Sequence, residues 1–171
     1  MISPELESVP PFYQGYVNNV KDHDLYEILR LSNKQALDVI RSIPETKGEF
    51  RYAPGKWSIK ELLCHMIDVE RIFAYRTLRF ARNDRTPLSG FEENDYASEA
   101  NAHARSIKVI ADQMERLRQT TIDLFEGFTP EMLRRKGIAN NSELSVVNLG
   151  FIIPGHETHH RKILHERYLG K

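Results

Sequence analysis

The chain has one cysteine, Cys64, in 171 residues, so no disulfide can form within it. That fits a reducing compartment. Net charge is also missing, because 24 Lys and Arg balance 24 Asp and Glu. A balanced chain has no overall pull on phosphate backbones or anionic lipid, which argues against nucleic acid as a partner. The arginine-rich run that includes Arg71, Arg76, Arg79, Arg82 and Arg85 is spaced as a solvated helix face. No apolar run approaches the roughly 18 residues of a membrane span. The opening Met1-Ile2-Ser3-Pro4-Glu5-Leu6 lacks the basic and apolar regions of a secretory signal. Together these absences point to a cytoplasmic protein without a membrane partner. Internal repeats, low-complexity tracts and a strand-rich region are absent too. With 40% apolar and 28% charged residues, the chain can bury the core of one domain spanning 1–171.

What is present is helical periodicity. Residues 1–18 hold three prolines, Pro4, Pro10 and Pro11, and read as an irregular arm. Leu25, Ile28, Leu29, Ala36, Val39, Ile40 and Ile43 repeat at 3.6 residues and predict a helix from about Lys21 to Ile43, stopped by Pro44. Ser58 and Glu61 form a capping box for a second helix that runs to about Ala81, with Trp57 poised to pack on Leu62. Residues 83–90 read as a loop. A third helix is predicted from Tyr96 to Phe125, with Ile107, Ile110, Ala111, Met114, Leu117, Thr121 and Leu124 facing inward. Thr129 and Pro130 start a short extra helix, and residues 137–141 break it. The last helix spans about Ser145 to Leu169 and contains Pro154, a predicted kink. Four long helices with mostly short links predict an all-α, up-down four-helix bundle, with the short extra helix before the last long one.

Three histidines fall on the inward faces of this arrangement. His65 lies among Leu62, Met66 and Val69 on the second helix. His156 and His160 lie four residues apart on the last, beside Ile152, Ile153 and Ile163. Side chains at i and i+4 are about 5–6 Å apart on one helix face. Burying several imidazoles without partners is costly, and a metal ion relieves that cost. The bland alternative is a polar pocket with ordered water. His159 lies at the edge of the same face and could take the place of His160. His103 could reach the bundle interior, whereas His23 and His165 read as surface residues. Cys64 points about 100° away from His65 and reads as a small core residue.

The run His156-Glu157-Thr158-His159-His160 also matches the zinc protease pattern H-E-x-x-H. Those enzymes usually take a third ligand downstream, where only His165 remains, on a different helix face, so the protease reading is set aside. Glu157 stays a candidate acid or base, against the plainer reading of a solvent-facing glutamate. Asp68, three residues after His65, is a second candidate, against a salt bridge with Arg71 or Arg76.

Trp57-Ser58-Ile59, His65, the stretch Gly90 to Ala97 and the run Gly155 to His160 stand in an order that resembles the DinB/YfiT-like superfamily of metal-dependent enzymes. The resemblance covers about Lys21 to Leu169. It implies a four-helix bundle and a three-histidine site carried here by His65, His156 and His160. It also implies a divalent metal, often zinc or nickel, and a homodimer. Neighbouring families include thiol-dependent S-transferases, so the expected activity on a small-molecule substrate is either hydrolysis or transfer of a low-molecular-weight thiol. Asp68 or Glu157 would carry protons. A non-catalytic metal-binding or ligand-binding bundle is the alternative.

Overall fold

The computed structural model describes residues 1–170. Four long helices form a bundle: α2 (Leu25–Arg41), α3 (Ile59–Ala81), α5 (Ile107–Glu126) and α7 (Val146–Ile163). Three short helices accompany them: α1 (Pro11–Asn18), α4 (Glu93–Glu99) and α6 (Pro130–Arg134). Beyond Ile163 the backbone continues as a π-helical stretch, Leu164–Leu169. No helix among the described residues is long and apolar enough to cross a membrane.

The bundle is a ring in the order α2, α7, α3, α5, because α2 and α3 each pack on both α5 and α7. Two of the three consecutive pairs, α2 with α3 and α5 with α7, therefore stand on diagonals, whereas α3 and α5 are neighbours. The links were expected to be mostly short, but residues 42–58, 82–106 and 127–145 all make long ones. Long links let a helix cross the bundle, as 42–58 and 127–145 do, whereas short ones force it beside its predecessor.

Helix α3 starts where the sequence says it should. The Glu61 amide donates to the Ser58 hydroxyl at 3.2 Å, and the Ser58 amide donates back to the Glu61 carboxylate at 2.7 Å. Two N–H groups left over at the helix start are thereby satisfied. Burial opposes ionisation of Glu61, but Arg51, the Ser58 N–H and His103 outweigh it and hold the carboxyl at about 2. Ser58→Ala should cost about 1 kcal/mol at neutral pH. A depressed folded pKa gives stability that is complete above the unfolded value of 4.5 and lost as pH falls towards 2. Urea titrations of wild type and Glu61→Gln should therefore differ at pH 6 and converge near pH 2. A constant gap across that range would remove the carboxylate from the account.

Several local expectations change. The arm over residues 1–18 is irregular only in its first half, since Pro11 is the first residue of α1. A proline there has its φ preset and needs no N–H partner, so it starts the helix. Tyr13 and Val17 then pack inward and seat α1 on α7. Helix α2 begins at Leu25 because the Asp24 carboxylate accepts from the Tyr26 amide at 3.0 Å. The third long helix is split. Asn101 takes a left-handed φ of 47° after α4, and Ser106 caps α5 afresh by accepting from Val109 N–H.

Residues 137–141 do more than break a helix. They belong to a hairpin of β1 (Lys136–Ala139) and β2 (Ser142–Ser145), paired antiparallel with Ala139 opposite Ser142. Asn140 and Asn141, at φ 49° and 58°, form its two-residue turn. Positive φ at both positions matches the twist of the paired strands, and asparagine tolerates it well. Leu88 hydrogen bonds on both sides to this hairpin, tying down the loop over 83–90.

Candidate metal centre

Helices α3 and α7 bring the three histidines together. His65 Nε2 lies 3.1 Å from His156 Nε2, and His160 Nε2 lies 3.0 Å from that same atom. The three ligating atoms are all within 4.8 Å of one another, and all three residues are buried. A neutral imidazole nitrogen has one in-plane direction, as donor or as acceptor. His156 Nε2 cannot satisfy two neighbours with it, so hydrogen bonding alone leaves this cluster incomplete. A tetrahedral ion with bonds of about 2.05 Å would set its nitrogens about 3.3 Å apart, close to what is seen. His160 Nδ1, at the back of its ring, is buried without a partner.

The electrostatics favour ligation. Burial pushes His65 down to about 4. Burial, with the neighbouring His65 and His159, pushes His160 down to about 3. His156 falls well below its ordinary value through burial and the other histidines. At neutral pH all three are uncharged, so each ring keeps one nitrogen lone pair for a ligand.

Aromatic rings fix the orientation of the cluster. The Trp57 ring lies 4.6 Å from that of His65, and the Tyr168 hydroxyl donates to the backbone carbonyl of Trp57 at 2.8 Å, pinning the chain there. Tyr16 of α1 meets both His156 and His159 edge-on at 5.3 Å. His159 is half-buried and stands beside the three rather than among them. His103 is on the surface near Glu61 and Glu49. His23 pairs with Glu27 on the surface. Cys64 is a buried core residue, as read, and receives Arg105 Nη2 at 2.9 Å on its sulfur.

The two candidate carboxylates have arginine partners. Asp68 accepts from Arg71 at 3.2 Å on an exposed part of α3. Glu157 does not face solvent, being 4% exposed. It sits against Arg118, with contacts of 3.2 and 3.4 Å. Burial raises its pKa, with Glu70 adding and Arg118 opposing. The reason is that α7 is covered all round as far as Thr158: every residue from Val146 to Thr158 is buried, and only its last turn reaches solvent.

Two cavities reach the cluster. One, with about 90 Å³ of water-accessible space, is lined by His156, Tyr16, Phe73, Arg76, Phe91 and Glu93, among others. The other touches His160 and is lined by Tyr52, Lys56, Trp57, Asn94 and Tyr168. Sequence reading missed Tyr16, because it lay in the supposed irregular arm. It placed Arg76 on a solvated face, whereas Arg76 is 2% exposed. No local signal marks either residue, since both depend on what packs beside α3 and α7.

Comparison with known proteins bears on the fold and the family. The solved structure of YfiT from Bacillus subtilis, described as a probable metal-dependent hydrolase with an unusual four-helix bundle topology, superposes with a TM-score of 0.70 at 16% identity. The match covers 96% of this chain and 91% of that one. A protein of Oceanobacillus iheyensis named "Putative metal-dependent hydrolase" is 22% identical over 125 residues, 72% of this chain and 71% of its own. The family model of the DinB superfamily matches residues 28–164, from α2 to the end of α7. The chain belongs to the DinB superfamily.

Proposed function

We propose that the protein is a metal-dependent hydrolase of a small molecule, with His65, His156 and His160 holding one divalent ion. The convergence of three buried imidazole nitrogens on one point carries this reading. The names of the two similar proteins point the same way. Imidazole donors suit zinc or nickel. When bound, such an ion lowers the pKa of a water molecule and polarises a carbonyl. Three protein ligands leave a position open for that chemistry.

The surrounding residues divide the remaining work. Trp57 and Tyr16 keep the rings in place, and the aromatic wall of the first cavity excludes bulk water. Proton transfer is assigned to Glu93 rather than to Asp68 or Glu157, whose carboxylates face arginines. Glu93, on the exposed start of α4, lines the same cavity as His156 and has no basic partner there, and partial desolvation, with Glu92, raises its pKa.

The second cavity favours a second reading, transfer of a low-molecular-weight thiol. A group entering past His160 and an electrophile entering past His156 would meet at the same centre. The metal content of untagged protein tests the common core of both readings. We expect about one zinc or nickel ion per chain, lost in the His156→Ala, His160→Ala double variant. Wild-type protein that takes up neither metal when supplied with it would end both readings. With metal bound, turnover of ester or amide panels with and without added thiol separates them.

A further inference from the structure

We propose that the cavity beside His156 binds a small monocarboxylate with an apolar body, its carboxylate held by Arg76 and its other end directed at the histidine cluster. The choice of substrate class rests on the metal-enzyme reading only for where the reacting group lies.

Arg76 is a buried cation without an acidic partner. Its Nη2 donates to the Ser89 carbonyl at 3.0 Å, and its guanidinium carbon lies 5.4 Å from the Phe73 ring centre and 5.9 Å from that of Phe91. No carboxylate lies within ion-pairing distance among the described residues, although most other buried or half-buried arginines here have one. Arg118 has two. The Tyr13 hydroxyl is also beside the guanidinium. A guanidinium has five N–H donors in a planar fork, more than Ser89, Tyr13 and the ring faces take up, and none of these partners carries a formal charge. Burying such a charge uncompensated is costly unless a ligand supplies the anion.

The ligand's charge and shape follow from the lining. Arg76 is the one basic residue there besides the neutral His156, and Glu93 is the one acid. One cation with no paired acid suits a single negative charge, and the Glu93 carboxyl elsewhere in the lining disfavours a phosphate dianion. The planar fork matches a carboxylate. Phe12, Tyr13, Val69, Phe73 and Phe91 give apolar walls for an aryl or acyl body.

Helix geometry sets the direction. His65 and Arg76 are eleven residues apart on α3, which places them about 16 Å apart along the axis and within about 20° of the same face. Val69 and Phe73 lie between them on that face. A ligand lying along this stripe would have its anion at one end and its reacting group at the metal end.

Calorimetric titration of 3-phenylpropionate and of 3-phenylpropanamide tests this with the metal-loaded protein, the chelator-stripped protein and Arg76→Gln. We expect the carboxylate to bind at least about tenfold tighter than the amide. That preference should persist after stripping, since Arg76 rather than the metal holds the anion, and disappear in Arg76→Gln with metal content unchanged. Equal affinities in wild type, or no binding of either compound, would overturn the proposal without any variant. So would a preference that vanishes with the metal or survives in Arg76→Gln. Failure of the metal reading would show separately, as absent metal beside an intact carboxylate preference.

Discussion

Arg118→Ala should destabilise the fold by about 3–5 kcal/mol, the cost of removing one partner from a buried ion pair. Arg118 is 1% exposed and joins all four bundle helices from its place on α5. Its Nε and Nη2 donate to Glu70 of α3 at 2.8 and 2.9 Å, a paired contact with both carboxylate oxygens. Its Nη1 donates to the Leu29 carbonyl and Ser32 hydroxyl of α2 at 2.8 and 2.9 Å. Glu157 of α7 completes the ring. Alanine would leave two buried carboxylates, a carbonyl and a hydroxyl without their donor. Glu157→Gln should behave very differently. The cluster holds two carboxylates against one guanidinium, and an amide oxygen can still accept from Arg118, so a loss under about 1 kcal/mol is expected. Urea unfolding of both variants decides the matter. Equal losses would mean that the charge of Glu157 is as indispensable as Arg118. Because Glu157 follows His156, metal affinity should also drop in Arg118→Ala even under conditions where it remains folded.

Gly155→Ala should also destabilise strongly, against the usual sign. Glycine in a helix interior is normally worse than alanine by roughly 1 kcal/mol. Here an added Cβ would stand 2.3 Å from the carbonyl oxygen of Tyr16 and 2.6 Å from its carbon. These are backbone atoms of α1, so no side-chain rotation relieves the overlap. Either α1 moves off α7 or α7 bends. Overpacking of this kind costs typically 1–3 kcal/mol, which outweighs the propensity gain. Tyr16 would be displaced with α1 from its contacts on His156 and His159, and the cavity beside His156 would change shape. A lowered melting temperature with altered tyrosine near-ultraviolet dichroism is the expected result. A variant as stable as wild type would mean that α1 and α7 do not approach this closely.

These two sites show where reading the sequence stops. Along α5 the inward positions Ile107, Ile110, Ala111 and Met114 were legible as an apolar stripe. The stripe continues through Arg118 to Thr121, Ile122 and Phe125, not through Leu117 and Leu124, which are only partly buried. A periodicity based on apolar residues steps around a buried arginine, because its acceptability depends on carboxylates from other helices. The same blindness put Arg76 in solvent and Glu157 on an exposed face. The paired asparagines of the hairpin did carry a turn signal, but four-residue strands are too short to show an alternating pattern.

The sequence alone determined what local geometry controls. The capping box at Ser58, the cap at Thr129 and the one-turn spacing of His156 and His160 all follow from the repeat of a single helix, which is the same wherever that helix packs. The tertiary structure decided what depends on neighbours. It set the diagonal order of the bundle and brought His65 within 3.1 Å of His156. It buried α7 on every side from Val146 to Thr158, assigned Glu157 to Arg118, and left Arg76 without a counterion beside the candidate site. Burial and pairing of charge are properties of the space between elements, and that space is created only when the helices pack.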